Sequence, residues 1–91
     1  MAHSTHHRRY QRLLELLRGW REAAGLTQTQ VASRLGNTQT FVSKVERGER
    51  RLDVVELIEW CEALDVEPES AFRQVLLIGV KASKRKLSSR S

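Results

Sequence analysis

The 91-residue chain has little cysteine, proline or methionine, one of each, and its aromatics come to 5%. With Cys61 alone, no internal disulfide and no thiolate metal cluster can form, which favours a reducing cytoplasm. No apolar run approaches the roughly 20 residues that a membrane span requires, and the N-terminus has no apolar signal core, so no membrane partner is expected. His3, His6 and His7 fall in a cysteine-free leading stretch without periodicity, which argues against a metal site. Nothing assembles a nucleophile, a base and an oxyanion site, so the expectation is a protein that is not an enzyme, with no catalytic residue and no cofactor.

What is present suits one small domain, large enough for a helical core but small enough that dimerisation would help its stability. The net charge of +5 is unevenly spread. Residues 1–26 and 27–51 each net +3, residues 52–70 hold seven acids and no basic residue, and residues 81–91 hold five basic residues and no acid. One surface should therefore repel phosphate while another attracts it. Such polarity would orient a nucleic-acid ligand, or serve solubility alone.

The chain divides into residues 1–7, predicted to be disordered, a folded domain over 8–80 that includes a C-terminal dimerisation element, and a basic, Ser-rich flexible tail over 81–91. That tail can embrace DNA or stay solvated. Tyr10, Leu13, Leu14, Leu17, Trp20 and Ala24 recur at spacings of three and four, predicting a helix of about 17 residues from near Arg8 to Gly25. Gly19 weakens it by roughly 1 kcal/mol. Asp53 with Glu56 forms a capping box for a later helix whose buried stripe is Val54, Leu57, Ile58, Cys61 and Leu64, with Trp60 on its flank. Cys61 is then a buried, unreactive thiol, and both tryptophans belong to the core. Pro68 suits the first turn of a last helix, whose apolar face is Phe72, Val75, Leu76 and Val80. The run VLLIGV over 75–80 is apolar all round and fits a helix or a short strand. Its surplus of apolar surface points to a partner chain.

The densest information lies in residues 26–48, LTQTQVASRLGNTQTFVSKVERG. Thr27 can cap a helix bearing Val31, Ala32 and Leu35 on one face, with Gln30 completing a capping box. Gly36 follows the last apolar residue, where a left-handed backbone closes a helix without strain only for glycine. Thr38 can cap a second helix, with Val42 and Val45 inward and Gln39, Thr40, Ser43 and Lys44 outward. Two short amphipathic helices around a glycine turn read as a helix-turn-helix, and the second presents polar donors of the kind a DNA major groove accepts.

The order of helices, with LTQ at 26–28, Ala32, the LG at 35–36, Gln39 and the ERG at 46–48, resembles the lambda-repressor-like family, the XRE or Cro/repressor type of helix-turn-helix. The likeness runs from about residue 12 to 72. It implies an all-α domain of five helices that binds double-stranded operator DNA as a homodimer, in a bacterial or phage-encoded cytoplasmic protein. By position, Gln28 resembles the family glutamine that holds a phosphate and braces the recognition helix. Gln39 matches the glutamine that reads a base, and its amide can donate and accept together, as adenine N6 and N7 require. Thr40, Ser43 and Lys44 fall where relatives vary their base contacts. Arg47, Arg50 and Arg51 lie in the loop where relatives grip the phosphate backbone, and Asn37 and Thr38 join them as phosphate candidates. Arg21 matches an arginine that pairs with the glutamate at Glu46, locking the first helix to the third.

Some residues depart from the family pattern. Phe41 stands where Ser, Thr or Gly is common, and either a thymine methyl or packing would use it. Trp60 replaces a smaller aliphatic residue. Asn37 stands where Val or Met is frequent, leaving turn and phosphate roles open. The expected function is a sequence-specific transcriptional regulator, by default a repressor, acting on a two-fold operator. Its dimer contact would come from Phe72, Val75, Leu76, Ile78 and Val80, remote from DNA. The rival expectation is an antitoxin or protein-interaction module that binds a partner protein through the same C-terminal apolar face.

Overall fold

The computed structural model describes residues 7–77, and these form five helices: α1 (Arg8–Ala23), α2 (Gln28–Leu35), α3 (Gln39–Glu46), α4 (Val54–Ala63) and α5 (Pro68–Leu77). Among the described residues there is no strand; Val75, Leu76 and Leu77 are the last turn of α5. Ile78 and Val80 lie outside the described residues, as do residues 1–6 and the basic tail.

Each helix start has a local cause. His7 caps α1, its Nδ1 accepting from the Arg9 N–H at 3.1 Å. Thr27 and Gln30 exchange side-chain and backbone hydrogen bonds at 3.0 and 2.8 Å, a complete capping box at α2. Thr38 Oγ1 accepts from the Phe41 N–H at α3, and Asp53 with Glu56 forms the second complete box at α4. Gly36 closes α2 at φ 69°, a left-handed turn that a side chain would strain. Asp65 closes α4 at φ 61°, where it replaces the usual glycine. Arg34 reaches from α2 to the same end of α4, donating to the Ala63 carbonyl at 2.7 Å.

These ends set the phase of each apolar stripe. Leu13, Leu14 and Leu17 of α1, Val31 and Ala32 of α2, Val42 and Val45 of α3, and Leu52 of the loop meet Trp60, Cys61 and Leu64 of α4 and Ala71 of α5. Tyr10 joins them, its hydroxyl accepting from the Leu52 N–H at 3.1 Å. Burial pushes the Cys61 thiol up, with Glu62 adding to it, so this cysteine is an inert part of the core.

Two stripes differ from those expected. In α4 the inward residues are Leu57, Trp60, Cys61 and Leu64, while Val54 is 70% and Ile58 39% exposed. Trp60, expected on the flank, is 1% exposed. The indole centres the stripe, rotating Val54 and Ile58 outward. In α5 the inward residues are Ala71 and Val75, so Phe72 and Leu76 face out.

One polar contact joins the packing. The Glu46 side chain at the end of α3 is 2% exposed, and Arg21 near the end of α1 forks onto it, with Nε to Oε2 at 2.6 Å and Nη2 to Oε1 at 3.0 Å. The remaining Arg21 Nη1 donates to the Leu26 carbonyl at 2.9 Å, fixing the chain before α2. The hydrogen bonds from Glu46 raise the Arg21 pKa against the opposing cost of burial.

Two stability measurements follow from this core. Glu46→Ala strands a buried guanidinium and should cost about 3–5 kcal/mol in urea denaturation, whereas Arg21→Met with Glu46→Leu should recover most of the loss. Trp60→Ala should cost about 3–5 kcal/mol in the same assay. Trp60→Phe should cost clearly less, because the Trp60 Nε1 finds no hydrogen-bond partner among the described residues and nothing polar is lost with it.

Candidate nucleic-acid interface

Residues 36–38 are the whole connection between α2 and α3, so the C-terminal end of α2 stands close to the N-terminal end of α3, and a contact between Gln28 and Gln39 brings the two helix starts together as well. Gln28 is the first residue of α2 and Gln39 the first of α3. Gln39 Nε2 donates to Gln28 Oε1 at 2.7 Å, and Gln28 Nε2 donates to Glu46 Oε1 at 2.9 Å. A continuous line of hydrogen bonds thus runs from Arg21 through Glu46 and Gln28 to Gln39. It holds the exposed Gln39 amide while leaving its oxygen and a second amide hydrogen for a ligand.

The rest of the α3 front is polar and accessible. Thr40 and Lys44 are exposed, and Ser43 is half-buried with its hydroxyl receiving a hydrogen bond from Arg47 Nη1. Asn37 turns to its own backbone, Oδ1 accepting from the Thr38 N–H at 2.8 Å, which supplies the turn role left open by its type. Phe41 is half-buried against Trp60, ring centroids 5.9 Å apart, and the Arg50 guanidinium lies over its ring, 5.0 Å from the centroid. It makes packing contacts with both groups.

The three loop arginines do not act as one cluster. Arg47, which caps the end of α3, forks onto Glu49 at 3.0 and 3.1 Å. Arg50 forks onto Glu56 at 3.0 and 2.7 Å. Each partner raises its arginine's pKa through the hydrogen bonds, and each glutamate is held below the usual carboxylate range by the same contacts. Arg51 turns the other way, 4.2 Å over the Tyr10 ring, into a cleft shared with His7, Arg9, Leu13 and Val75. Charge counting over residues 27–51 includes Glu49 but not Glu56, which lies beyond that segment and was legible only as a helix cap. Arg18, whose Nε stands 3.9 Å from Glu46 Oε1, was likewise not foreseen; its spacing of three from Arg21 was the available signal.

Among the described residues no group of three or more His, Cys, Asp or Glu side chains is placed to hold a metal ion, and no helix is long and apolar enough to cross a membrane. A second surface stands apart from the polar one. Val54, Leu57, Ile58, Pro68, Glu69 and Phe72 line an apolar groove between α4 and α5, and Val55, Leu76 and Leu77 are also exposed.

Residues 17–70 match the family described as "Helix-turn-helix". The HTH-type transcriptional regulator y4dL of Sinorhizobium fredii is 34% identical over 67 residues, 74% of this chain and 32% of the relative. The regulator y4dJ of the same organism is 44% identical over 46 residues, 50% of this chain and 60% of the relative. The chain thus spans about a third of one curated relative and 60% of the other. Among solved structures, an XRE-family like protein from Pseudomonas syringae superposes with a TM-score of 0.75 at 45% identity, covering 78% of this chain and 87% of that one. The restriction-modification controller protein C.AhdI from Aeromonas hydrophila superposes with a TM-score of 0.61 at 35% identity, covering 66% and 87%. With more than half its length matched by the family and its backbone superposing on these structures, the chain belongs to the XRE-type helix-turn-helix family of transcriptional regulators.

Proposed function

We propose that this chain is a sequence-specific DNA-binding repressor that occupies a two-fold operator as a homodimer. The observation that carries this reading is the anchored Gln39, an exposed amide at the front of α3 held in place through Gln28 and the buried Glu46. With α3 in the major groove, Gln39, Thr40, Ser43 and Lys44 face bases. Gln28, Asn37, Thr38, Arg47 and Arg50 then serve the backbone, fixing register without reading sequence, and Arg51 joins them only by leaving the Tyr10 ring. Names of the relatives support the regulatory role: two are HTH-type transcriptional regulators, and one solved neighbour is a restriction-modification controller.

Pairing uses the second surface. Phe72 is 55% and Leu76 48% exposed, and Val54 and Ile58 of α4 line the same groove as Phe72. Val75 packs inward and supports this face from behind. Two recognition helices must stand about one DNA turn apart, about 34 Å, so the contact between copies belongs on an element other than α3. A heterologous protein partner would use the same apolar face, and the mass of the species in solution separates the two cases.

Selection of bound sequences from random DNA should return a palindrome with half-sites about one turn, about 10 base pairs, apart. On that selected duplex, Gln39→Ala and Lys44→Ala should each weaken binding about tenfold or more and relax preference at separate positions of the half-site. Unchanged preference in both variants would reject the assignment. Phe72→Glu should leave the helical circular dichroism intact and yield a monomer by light scattering, with operator affinity falling steeply; a wild-type chain that is already monomeric at micromolar concentration overturns the homodimer.

A further inference from the structure

The arginines assigned to the DNA backbone already hold an anion. Glu49 gives Arg47 both carboxylate oxygens, and Glu56 gives both of its oxygens to Arg50. A guanidinium fork meets a carboxylate and a phosphate with the same planar, two-oxygen geometry. Neither acid is there by chance of a long, wandering side chain. Glu49 lies two residues after Arg47 on a turn fixed by Gly48 at φ 80°, a backbone conformation that a side chain at 48 would strain. Glu56 is held by the α4 capping box, its Oε1 accepting from the Asp53 N–H at 3.0 Å, so it stays in place whether or not Arg50 is on it. Arg50 is steadied in turn by the Phe41 ring beneath it. Both carboxylates are charged at neutral pH, as any ordinary glutamate is, and their arginine partners favour the charged form further.

We propose that Glu49 and Glu56 are internal stand-ins for phosphate that attenuate DNA affinity: Arg47 and Arg50 must exchange a carboxylate for a backbone phosphate when the chain docks. This inference rests on the reading that Arg47 and Arg50 contact phosphate. Both pairs are exposed, so each holds its arginine weakly and the exchange is easy. A duplex wins it because its phosphates act together, with release of condensed counterions. The exchange is nevertheless one anion for another, so each contact yields less than a free arginine would give. Phosphates are the same in every sequence, so the attenuation applies to operator and random DNA alike. Base preference stays with α3, while the two acids set how much protein is needed for occupancy.

The test is a double-mutant cycle read by fluorescence anisotropy at one fixed salt concentration, on the selected duplex and on a random-sequence duplex of equal length. Glu49→Gln and Glu56→Gln should each tighten binding about twofold to fivefold on both duplexes. The gain from Glu49→Gln should vanish in the Arg47→Ala background, and that from Glu56→Gln in the Arg50→Ala background. A gain that persists there means the carboxylate acts only as a repulsive charge and overturns the proposal, as does the absence of any gain. Arg47→Ala and Arg50→Ala without effect on either duplex would instead overturn the phosphate reading. Glu56→Gln keeps an amide oxygen for the Asp53 N–H, and circular dichroism checks α4; Glu49→Gln, fully outside the helices, carries the test independently.

Discussion

The buried carboxylate of Glu46 is the constraint on which the rest of the domain depends. A charge at 2% exposure is costly unless its oxygens are filled, and here Arg21 supplies two hydrogen bonds and Gln28 a third. The donors come from the end of α1 and the start of α2, while the acceptor ends α3. One group therefore fixes three helices in relation to each other. The buried valines and leucines of the core supply most of the stabilisation, but their contacts tolerate small sliding movements. A bidentate fork does not, and its geometry is what places Gln28 and, through it, Gln39.

The polar surface is consequently graded in stiffness. Gln39 is anchored by a path that reaches into the core, whereas the charged partners of Arg47 and Arg50, Glu49 and Glu56, lie in solvent-accessible ion pairs. This suits the two tasks in the proposed complex. Base readout needs an amide placed to a fraction of an ångström, while backbone contacts gain from side chains that adjust. Thr27 and Thr38 consume helix-terminal N–H groups in their caps, so neither helix start is left with all its donors unsatisfied before DNA arrives.

The features legible from the sequence are those with local causes. Thr27 with Gln30, Gly36, Thr38 and Asp53 with Glu56 act within three or four residues, and the structure has each in the expected role. The Arg21–Glu46 contact spans 25 residues and was accessible only through family resemblance, because no periodicity links those positions. Trp60 shows where spacing fails. Val54, Leu57, Ile58, Cys61 and Leu64 satisfy a three-four repeat, yet so do Leu57, Trp60, Cys61 and Leu64, and the volume of the indole decides between them. Segment charge fails for a related reason: Arg50 and Glu56 belong to opposite charge blocks in sequence but to one ion pair in space.

That rotation of α4 also bears on how the two surfaces coexist. Turning Trp60 inward brings Val54 and Ile58 out beside Phe72, so apolar residues that spacing assigned to the core instead complete an exposed groove. The groove sits in the acidic segment, with Glu69 of α5 on its wall and Glu59 and Glu62 elsewhere on α4. Those acids repel a phosphate backbone, while their effect on an apolar contact is small. A second copy docking there under the proposed reading does not compete with DNA for surface. The segregation of charge that the chain shows along its length thus becomes, under the proposed reading, a segregation of roles: amide groups at the starts of α2 and α3 and basic groups at the end of α3 and in the loop after it for the duplex, and an acid-flanked apolar face on α4 and α5 for pairing.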